Sequence, residues 1–514
     1  MTFTLANMLR QHARATPDAP ALTFEGATQT FAQLDARSSR AANALLALGV
    51  RSGDRMALLT KNAPEYYALI FACSKIGAIL VGLNWRLAPP EITAIVADAL
   101  PSLIVLGPGE QGLLEDAARR SPGLRQVLLL GAEYDAWCAA GSATDPGFSG
   151  APDDVTLLLY TSGTTGAPKG VMLTNHGMSF TPRLGSEIWG MGRSSVNLVA
   201  MPMFHIGGIG NGLGTMAHGG HTVLMREVDT TKAIANIQQY RVTHAFFVPA
   251  VIQSLLQTPG VEQADLSSLQ LLKYGASPIG DALLRRAIEV LGCRFMHVYG
   301  MTEASGTIVA LAPEDHDPGG PRASLLRSCG RPFPWVEMRV IDPDTLQDVK
   351  TGDVGEIWVR TGMLMKGYWN KPGATAEAIM PGGWLRTGDA AYRDEGGYVY
   401  LFDRFKDMIV SGAENVYPVE VENVLSDHPA ILEVAVIGVP HERWGETVKA
   451  VVVCRPGQQV TPDELIAFAR LRLGKFKCPT SVDFTDVLPR NASGKLLKRE
   501  LRRVYWKGLD RAIH

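Results

Sequence analysis

Apolar residues in this chain gather in short blocks that break off into glycine, serine and threonine, and that rhythm predicts strands whose ends open into polar turns. Val155 to Leu159 reads as a buried strand, and the turn after it runs Tyr160-Thr161-Ser162-Gly163-Thr164-Thr165-Gly166-Ala167-Pro168-Lys169-Gly170. Blocks at Thr243 to Val248, Leu269 to Tyr274 and Arg294 to Tyr299 end in the same manner, which is where ligands sit in α/β sheets. Between such blocks the spacing turns helical. Thr30 and Gln33 form a capping box, Leu34, Leu45 and Leu48 recur at helical intervals, and Gly49 stands where the helix stops.

This alternation predicts an α/β fold: a large N-terminal domain of layered α/β subdomains over 1–403 and a small, mobile C-terminal α+β domain over 404–514. Composition shifts after Trp384, through Arg386-Thr387-Gly388-Asp389 and the Glu395-Gly396-Gly397 turn to Asp403-Arg404-Phe405-Lys406-Asp407, and the hinge is placed there. Beyond it, strands are expected at Leu432 to Ile437 and Val448 to Val453, then a helix opened by a Thr461–Glu464 capping box.

Bulk properties narrow the function. A chain of 514 residues, 46% hydrophobic, buries a large core, and its 49 basic against 51 acidic residues give no electrostatic footprint for nucleic acid or an anionic membrane. Small-molecule chemistry is favoured. The six cysteines are scattered without a Cys-x-x-Cys pair, so neither a disulfide framework nor a zinc site is indicated, and a reducing cytoplasm fits. No signal sequence or transmembrane segment is expected.

The turn after Leu159 can aim backbone N–H groups, hydroxyls and the Lys169 ammonium at an anion. It is not a Walker loop, because Lys169 follows a proline and precedes a glycine. An isolated turn of this composition is usually a plain surface loop. Four further segments change that balance: Pro202-Met203-Phe204-His205, Tyr299-Gly300-Met301-Thr302-Glu303, Arg386-Thr387-Gly388-Asp389 with Asp403-Arg404, and Pro489-Arg490-Asn491-Ala492-Ser493-Gly494-Lys495.

In order and separation these motifs resemble the adenylate-forming superfamily of acyl-CoA synthetases, carrier-loading adenylation domains and luciferases, over nearly the whole chain. The resemblance implies that Thr161, Ser162, Gly163, Thr164, Thr165, Gly166 and Lys169 hold ATP phosphates, and that Thr302 contacts the α-phosphate. Tyr299 and Gly300, with Gly275-Ala276-Ser277, would line the adenine, while Asp389 would take the ribose hydroxyls and Arg404 the ribose or a phosphate. Glu303 suits Mg²⁺, a hard ion that shares carboxylate and phosphate oxygens. Lys495 would screen charge in the adenylation transition state, and Lys406 would be the hinge. Taken singly, each has a plainer role: Glu303 on a surface turn, Tyr299 as a strand-end aromatic, Asp389 as a turn former, Lys495 on a solvated basic face with Lys498 and Arg499. The Lys495 context also resembles sites silenced by acetylation.

Carrier-loading domains for α-amino acids place an aspartate where this chain has His205, so an amino acid is disfavoured and His205 resembles the gate between acyl and thiol tunnels. A lone histidine is more often structural. Acetate-specific relatives close the pocket with a tryptophan at the position of Gly300, and the run from Gly207 and Gly208 to Gly214 likewise removes bulk, although helix glycines also serve close packing. No lysine or arginine in these pocket segments advertises a second carboxylate. Ser411-Gly412-Ala413 resembles the coenzyme A segment of bacterial fatty acyl-CoA ligases, with Ala413 in place of the usual second glycine. The expectation is an ATP-, Mg²⁺- and CoA-dependent ligase of a medium- or long-chain fatty acid, with an aryl- or arylalkanoate-CoA ligase and a ligase loading a separate carrier protein as alternatives. From another class, a nucleotide-binding regulatory protein with a dead site stays open. The resemblance also allows a homodimer.

Overall fold

The computed structural model describes residues 2–114, 121–162, 168–276, 279–404, 407–411, 414–441, 445–490 and 496–507. The chain forms two compact units, Met1–Tyr274 with Val290–Ile308 and Arg360–Gly383, and Gly275–Glu289 with Val309–Val359 and Trp384–His514.

The first unit carries two sheets. One runs Gln126–Leu129, Leu103–Leu106, Arg55–Leu59, Ile79–Leu83, Val155–Ser162 and Pro168–Thr174 in spatial order. Its pairs are parallel until the last, which is antiparallel. Leucine, isoleucine and valine fill these strands, as parallel strands covered on both faces require. The other sheet orders Ala27–Thr30, Pro20–Phe24, His221–Leu224, Val196–Val199, His244–Phe247, Leu271–Gly275, Arg294–Met301 and Gly306–Leu311. The blocks read from the sequence at 155, 243, 269 and 294 are therefore strands, each with bounds shifted by a few residues. The first helical reading holds as well: Phe31–Ala47 is a helix with both hydrogen bonds of the Thr30–Gln33 capping box, and Gly49 follows it at φ 86°.

Within the second unit, Glu337–Ile341, Gly355–Arg360 and Trp384–Arg393 form a sheet that Val399–Arg404 joins antiparallel. A separate sheet orders Glu414–Val416, Ile409–Ser411, Gly445–Cys454 and Ile431–His441, with Ser481–Phe484 parallel to Gly445–Cys454. Helices Pro418–Ser426 and Pro462–Arg470 pack Val421, Leu425, Leu465 and Ala469 against it, and Thr461 and Glu464 complete the expected capping box. The architecture is mixed α/β with a large N-terminal and a small C-terminal domain. No helix among the described residues is long and apolar enough to cross a membrane.

Candidate active site

In the first unit the strand Val155–Ser162 returns as Pro168–Thr174, with Thr161 opposite Lys169 and Ser162 opposite Pro168. Thr161 and Lys169 thus flank the mouth of the glycine-rich turn. Gly163 to Gly166 lie outside the described residues.

Glu303 sits in the single 3-10 turn Thr302–Ala304 that follows the strand Arg294–Met301. It is buried, and its Oε1 accepts the Thr161 hydroxyl at 3.4 Å and the Tyr368 hydroxyl at 3.1 Å. Its carbonyl accepts the Met365 N–H at 2.8 Å, and Ser305 donates its hydroxyl to the Met363 carbonyl at 2.6 Å. The segment 363–368 therefore braces the turn from outside the motif. The Lys169 ammonium stands over the Tyr368 ring, 5.0 Å from its centroid. Thr302 and Tyr299 are half-buried beside them in the chain.

This arrangement gathers a lysine, a carboxylate and two hydroxyls at one strand end. Among the described residues no cation pairs with Glu303, and no three metal-binding side chains cluster. A buried carboxylate with only hydroxyl donors suits an ion that completes its shell with phosphate oxygens and water, as Mg²⁺ does.

The Pro202-Met203-Phe204-His205 segment is set by a residue that the sequence reading missed. Asn62 is buried, donates to the carbonyls of Met201 and Met225 at 3.0 Å each, and accepts the Met203 N–H at 2.8 Å. His205 then occupies the N-cap position of the helix Ile206–Met216 without a side-chain capping bond, its ring 4.6 Å from that of Phe204. Some of its surface stays open, but Nε2 is enclosed and has no hydrogen-bond partner among the described residues. Burial, aided by the Arg86 charge, lowers its pKa to about 4, so the ring is neutral at neutral pH.

The glycines of that helix divide. A Cβ on Gly208 would lie 2.2 Å from the Pro202 carbonyl oxygen, on Gly212 1.7 Å from the Tyr67 hydroxyl, and on Gly214 2.8 Å from the Trp189 ring. Close packing requires these three. Gly210 would meet only its own neighbour Ile206 at 3.8 Å and has room, whereas a Cβ on Gly207 would stand 3.3 Å from the Phe246 ring, a tight contact that Phe246 must yield to by a few tenths of an ångström. Gly300 is likewise a packing position: its Cβ would stand 2.0 Å from the Gly306 carbonyl oxygen. A side chain there would require the 306–307 backbone to move first.

Within the second unit, Asp389 lies on Trp384–Arg393, half-buried, opposite position 404 on Val399–Arg404. The strand segment before it is held by Glu356, a buried carboxylate that accepts from Trp358 Nε1, Arg386 Nε and the Gly388 N–H, each at 3.0 Å. Gly388 adopts φ 72°, and Thr387 accepts the Asp389 N–H at 3.1 Å. Gly275 ends the strand Leu271–Gly275, and Ala276 follows at φ 65°, a left-handed backbone rare for a residue with a side chain. Ser277, Lys406, Gly412, Ala413 and Lys495 lie outside the described residues, as does the side chain of Arg404.

Comparison with known proteins matches two family models, "AMP-binding enzyme" over residues 9–369 and "AMP-binding enzyme C-terminal domain" over 420–495. The chain is 41% identical to a fatty acid–[acyl-carrier-protein] ligase, ScoC, of Streptomyces coeruleorubidus, over 99% of this chain and 98% of that one. It is 40% identical to a feruloyl-CoA synthase of an Amycolatopsis species, over 96% and 98%. The structure of ATP-bound MatB from Rhodopseudomonas palustris superposes with a TM-score of 0.90 at 30% identity, covering 98% of this chain and all of that one. Site geometry, two family models in order and near full-length relatives agree: the chain belongs to the AMP-binding enzymes of the adenylate-forming superfamily, as an AMP-forming acid–thiol ligase.

Proposed function

We propose that the protein joins a monocarboxylic acid to ATP to give an acyl-adenylate and pyrophosphate, and then transfers the acyl group to the thiol of coenzyme A with release of AMP. The observation that carries this reading is the buried Glu303 carboxylate, held by two hydroxyls beside Lys169 and without a cation of its own among the described residues.

Thr161 and Lys169 take the phosphates and withdraw charge from them as the acid approaches the α-phosphorus. Glu303 is the protein ligand of the Mg²⁺ that accompanies ATP, an ion that neutralises phosphate charge when bound. Thr302 orients the α-phosphate, and Asp389 accepts the ribose hydroxyls from a strand that Glu356 holds in place. Tyr299, Gly275, Ala276 and Ser277 border the base. His205, neutral, has no charge to attract the acid's carboxylate electrostatically and is suited to gating. Arg404, the hinge at Lys406, the pantetheine contacts at Ser411 to Ala413 and the boundary at residue 404 belong to the same reading, supported by the order of the motifs and by the interval between the two family models at 369 and 420.

Lys495 serves adenylation only. Lys495→Ala is expected to abolish pyrophosphate release while still converting supplied acyl-adenylate to thioester, and equal loss of both half-reactions would contradict the assignment. The identity to a carrier-protein ligase favours one second reading, in which a holo-carrier protein replaces CoA. Thioester formation measured with each acceptor in turn decides between them.

A further inference from the structure

Glu303 is not the only acidic residue on which the strands at the glycine-rich turn converge. Asp98, in the last turn of the helix Pro89–Ala99, accepts the Tyr160 hydroxyl at Oδ2, at 2.7 Å, and its carbonyl accepts Trp369 Nε1 at 3.1 Å and Asn370 Nδ2 at 3.3 Å. Arg55 holds the same helix end. It donates to the carbonyls of Ala99 at 2.7 Å and Leu100 at 2.9 Å, and its guanidinium lies over the Trp369 ring, 5.2 Å from the centroid.

The partners of Asp98 and Glu303 are chain neighbours. Tyr160 precedes Thr161 on the strand Val155–Ser162, and Trp369 follows Tyr368 on a segment that extends the same sheet: Tyr368 bridges Val171 antiparallel, the Met172 N–H donates to the Gly367 carbonyl at 3.0 Å and the Trp369 N–H to the Gly170 carbonyl at 2.7 Å. Successive side chains of a strand point to opposite faces, so Thr161 and Tyr368 reach Glu303 on one face while Tyr160 and Trp369 reach Asp98 on the other. On that second face both rings also pack against the core that Ile92, Ile95 and Val96 of the helix help to form. Gly170, opposite Tyr160 on the strand between, leaves the ring its path: a Cβ there would stand 2.9 Å from Tyr160 Cζ. Burial, and then the hydrogen bond to Asp98, pushes the Tyr160 pKa up, so the hydroxyl keeps its proton and donates.

We infer that Asp98 is a positioning residue for ATP: from the face opposite Glu303 it fixes the spacing between the strand Val155–Ser162 and the segment 366–369, and with it the reach of the Thr161 and Tyr368 hydroxyls to the Glu303 carboxylate. This deepens the acyl-adenylate reading, which puts the phosphates and Mg²⁺ on the Glu303 side, and rests on it. The two hydroxyl contacts are 3.4 and 3.1 Å long, so a small slip of either strand breaks the longer one.

The test reads the KM for ATP and the KM for the acid in pyrophosphate release at saturating Mg²⁺. Asp98→Ala and Tyr160→Phe are each expected to raise the KM for ATP by about three- to tenfold, as for loss of one hydrogen bond, and to leave that for the acid unmoved. Combined, they cost no more than either alone, because they break the same bond. Asp98→Asn keeps an acceptor for Tyr160 and restores the wild-type value. A role in folding alone would lower the urea midpoint and leave the KM for ATP where it is; that result, an equal rise for ATP and acid, or an Asp98→Asn variant no better than Asp98→Ala overturns the proposal. Where Asp98→Ala does not fold, Tyr160→Phe decides alone. Calorimetric titration of Mg·ATP without any acid should follow the same order of variants, so a protein that releases no pyrophosphate with any acid refutes the ligase reading while the role of Asp98 is still read from the nucleotide.

Discussion

Tyr368→Phe isolates one hydroxyl in the proposed phosphate-binding region. The ring stays, and with it the face that the Lys169 ammonium covers at 5.0 Å, while the 3.1 Å hydrogen bond to Glu303 Oε1 is removed. Glu303 then keeps the Thr161 hydroxyl at 3.4 Å, a longer and weaker contact. A hydrogen bond to a charged group contributes about 1.5–3 kcal/mol, which sets the expected loss in kcat/KM for ATP at roughly ten- to a hundredfold. The loss should appear in the dependence on Mg²⁺ and ATP, because the hydroxyl orients the carboxylate assigned to the ion, and the KM for the acid should stay put. The assay is initial-rate pyrophosphate release over a grid of Mg²⁺ and ATP concentrations, with circular dichroism to confirm folding. A change in kcat/KM below about twofold, equivalent to roughly 0.4 kcal/mol, would refute the idea that Tyr368 holds Glu303 for catalysis.

Two other outcomes follow from packing and titration. Gly300→Ala forces a Cβ to within 2.0 Å of the Gly306 carbonyl oxygen and 2.6 Å of Thr307 Cα, so urea unfolding should show a loss of about 1–3 kcal/mol or more; unchanged stability would mean that the hairpin yields freely. His244 has its pKa lowered to about 4, first by burial and then by the Lys273 charge, against about 6.5 in the unfolded chain. The unfolded state therefore binds the extra proton, so stability is full above pH 6.5 and falls as pH drops towards 4, by at most about 1.4 kcal/mol per pH unit from this residue. His244→Gln should flatten that slope in a series of urea titrations, and an equally steep profile in the variant would show that other groups set it.

The sequence was informative where chemistry is carried by contiguous motifs. Thr161, Lys169 and Glu303 occupy the strand ends and turn that their spacing implied, Asp389 stands inside a strand instead, and both capping boxes formed. It was silent on Asn62, Glu356, Tyr368 and Lys273. Each is a single polar residue in a largely apolar or unremarkable stretch, and its partners are distant: Tyr368 reaches Glu303 across 65 positions, Lys273 reaches Asn211 across 62, and Asn62 reaches Met203 across 141. Periodicity reports which face of an element is buried, not which foreign donor arrives there. The glycine run shows the converse, since absence of bulk is visible in sequence but its cause is not: Gly208 is bare because of Pro202, while Gly207 is not so constrained.

That division among the five glycines of Ile206–Met216 limits how this helix can change. A side chain at Gly208, Gly212 or Gly214 would collide with the turn before the helix or with the rings of Tyr67 and Trp189, so such variants disappear through misfolding before any effect on the acid is expressed. Gly210 carries no such burden, and Gly207 only that the Phe246 ring must give by a few tenths of an ångström. Under the proposed acyl-pocket role of this helix, drift in substrate preference is channelled through these two sites, Gly210 ahead of Gly207, and a library confined to them would sample selectivity with little waste on unfolded chains.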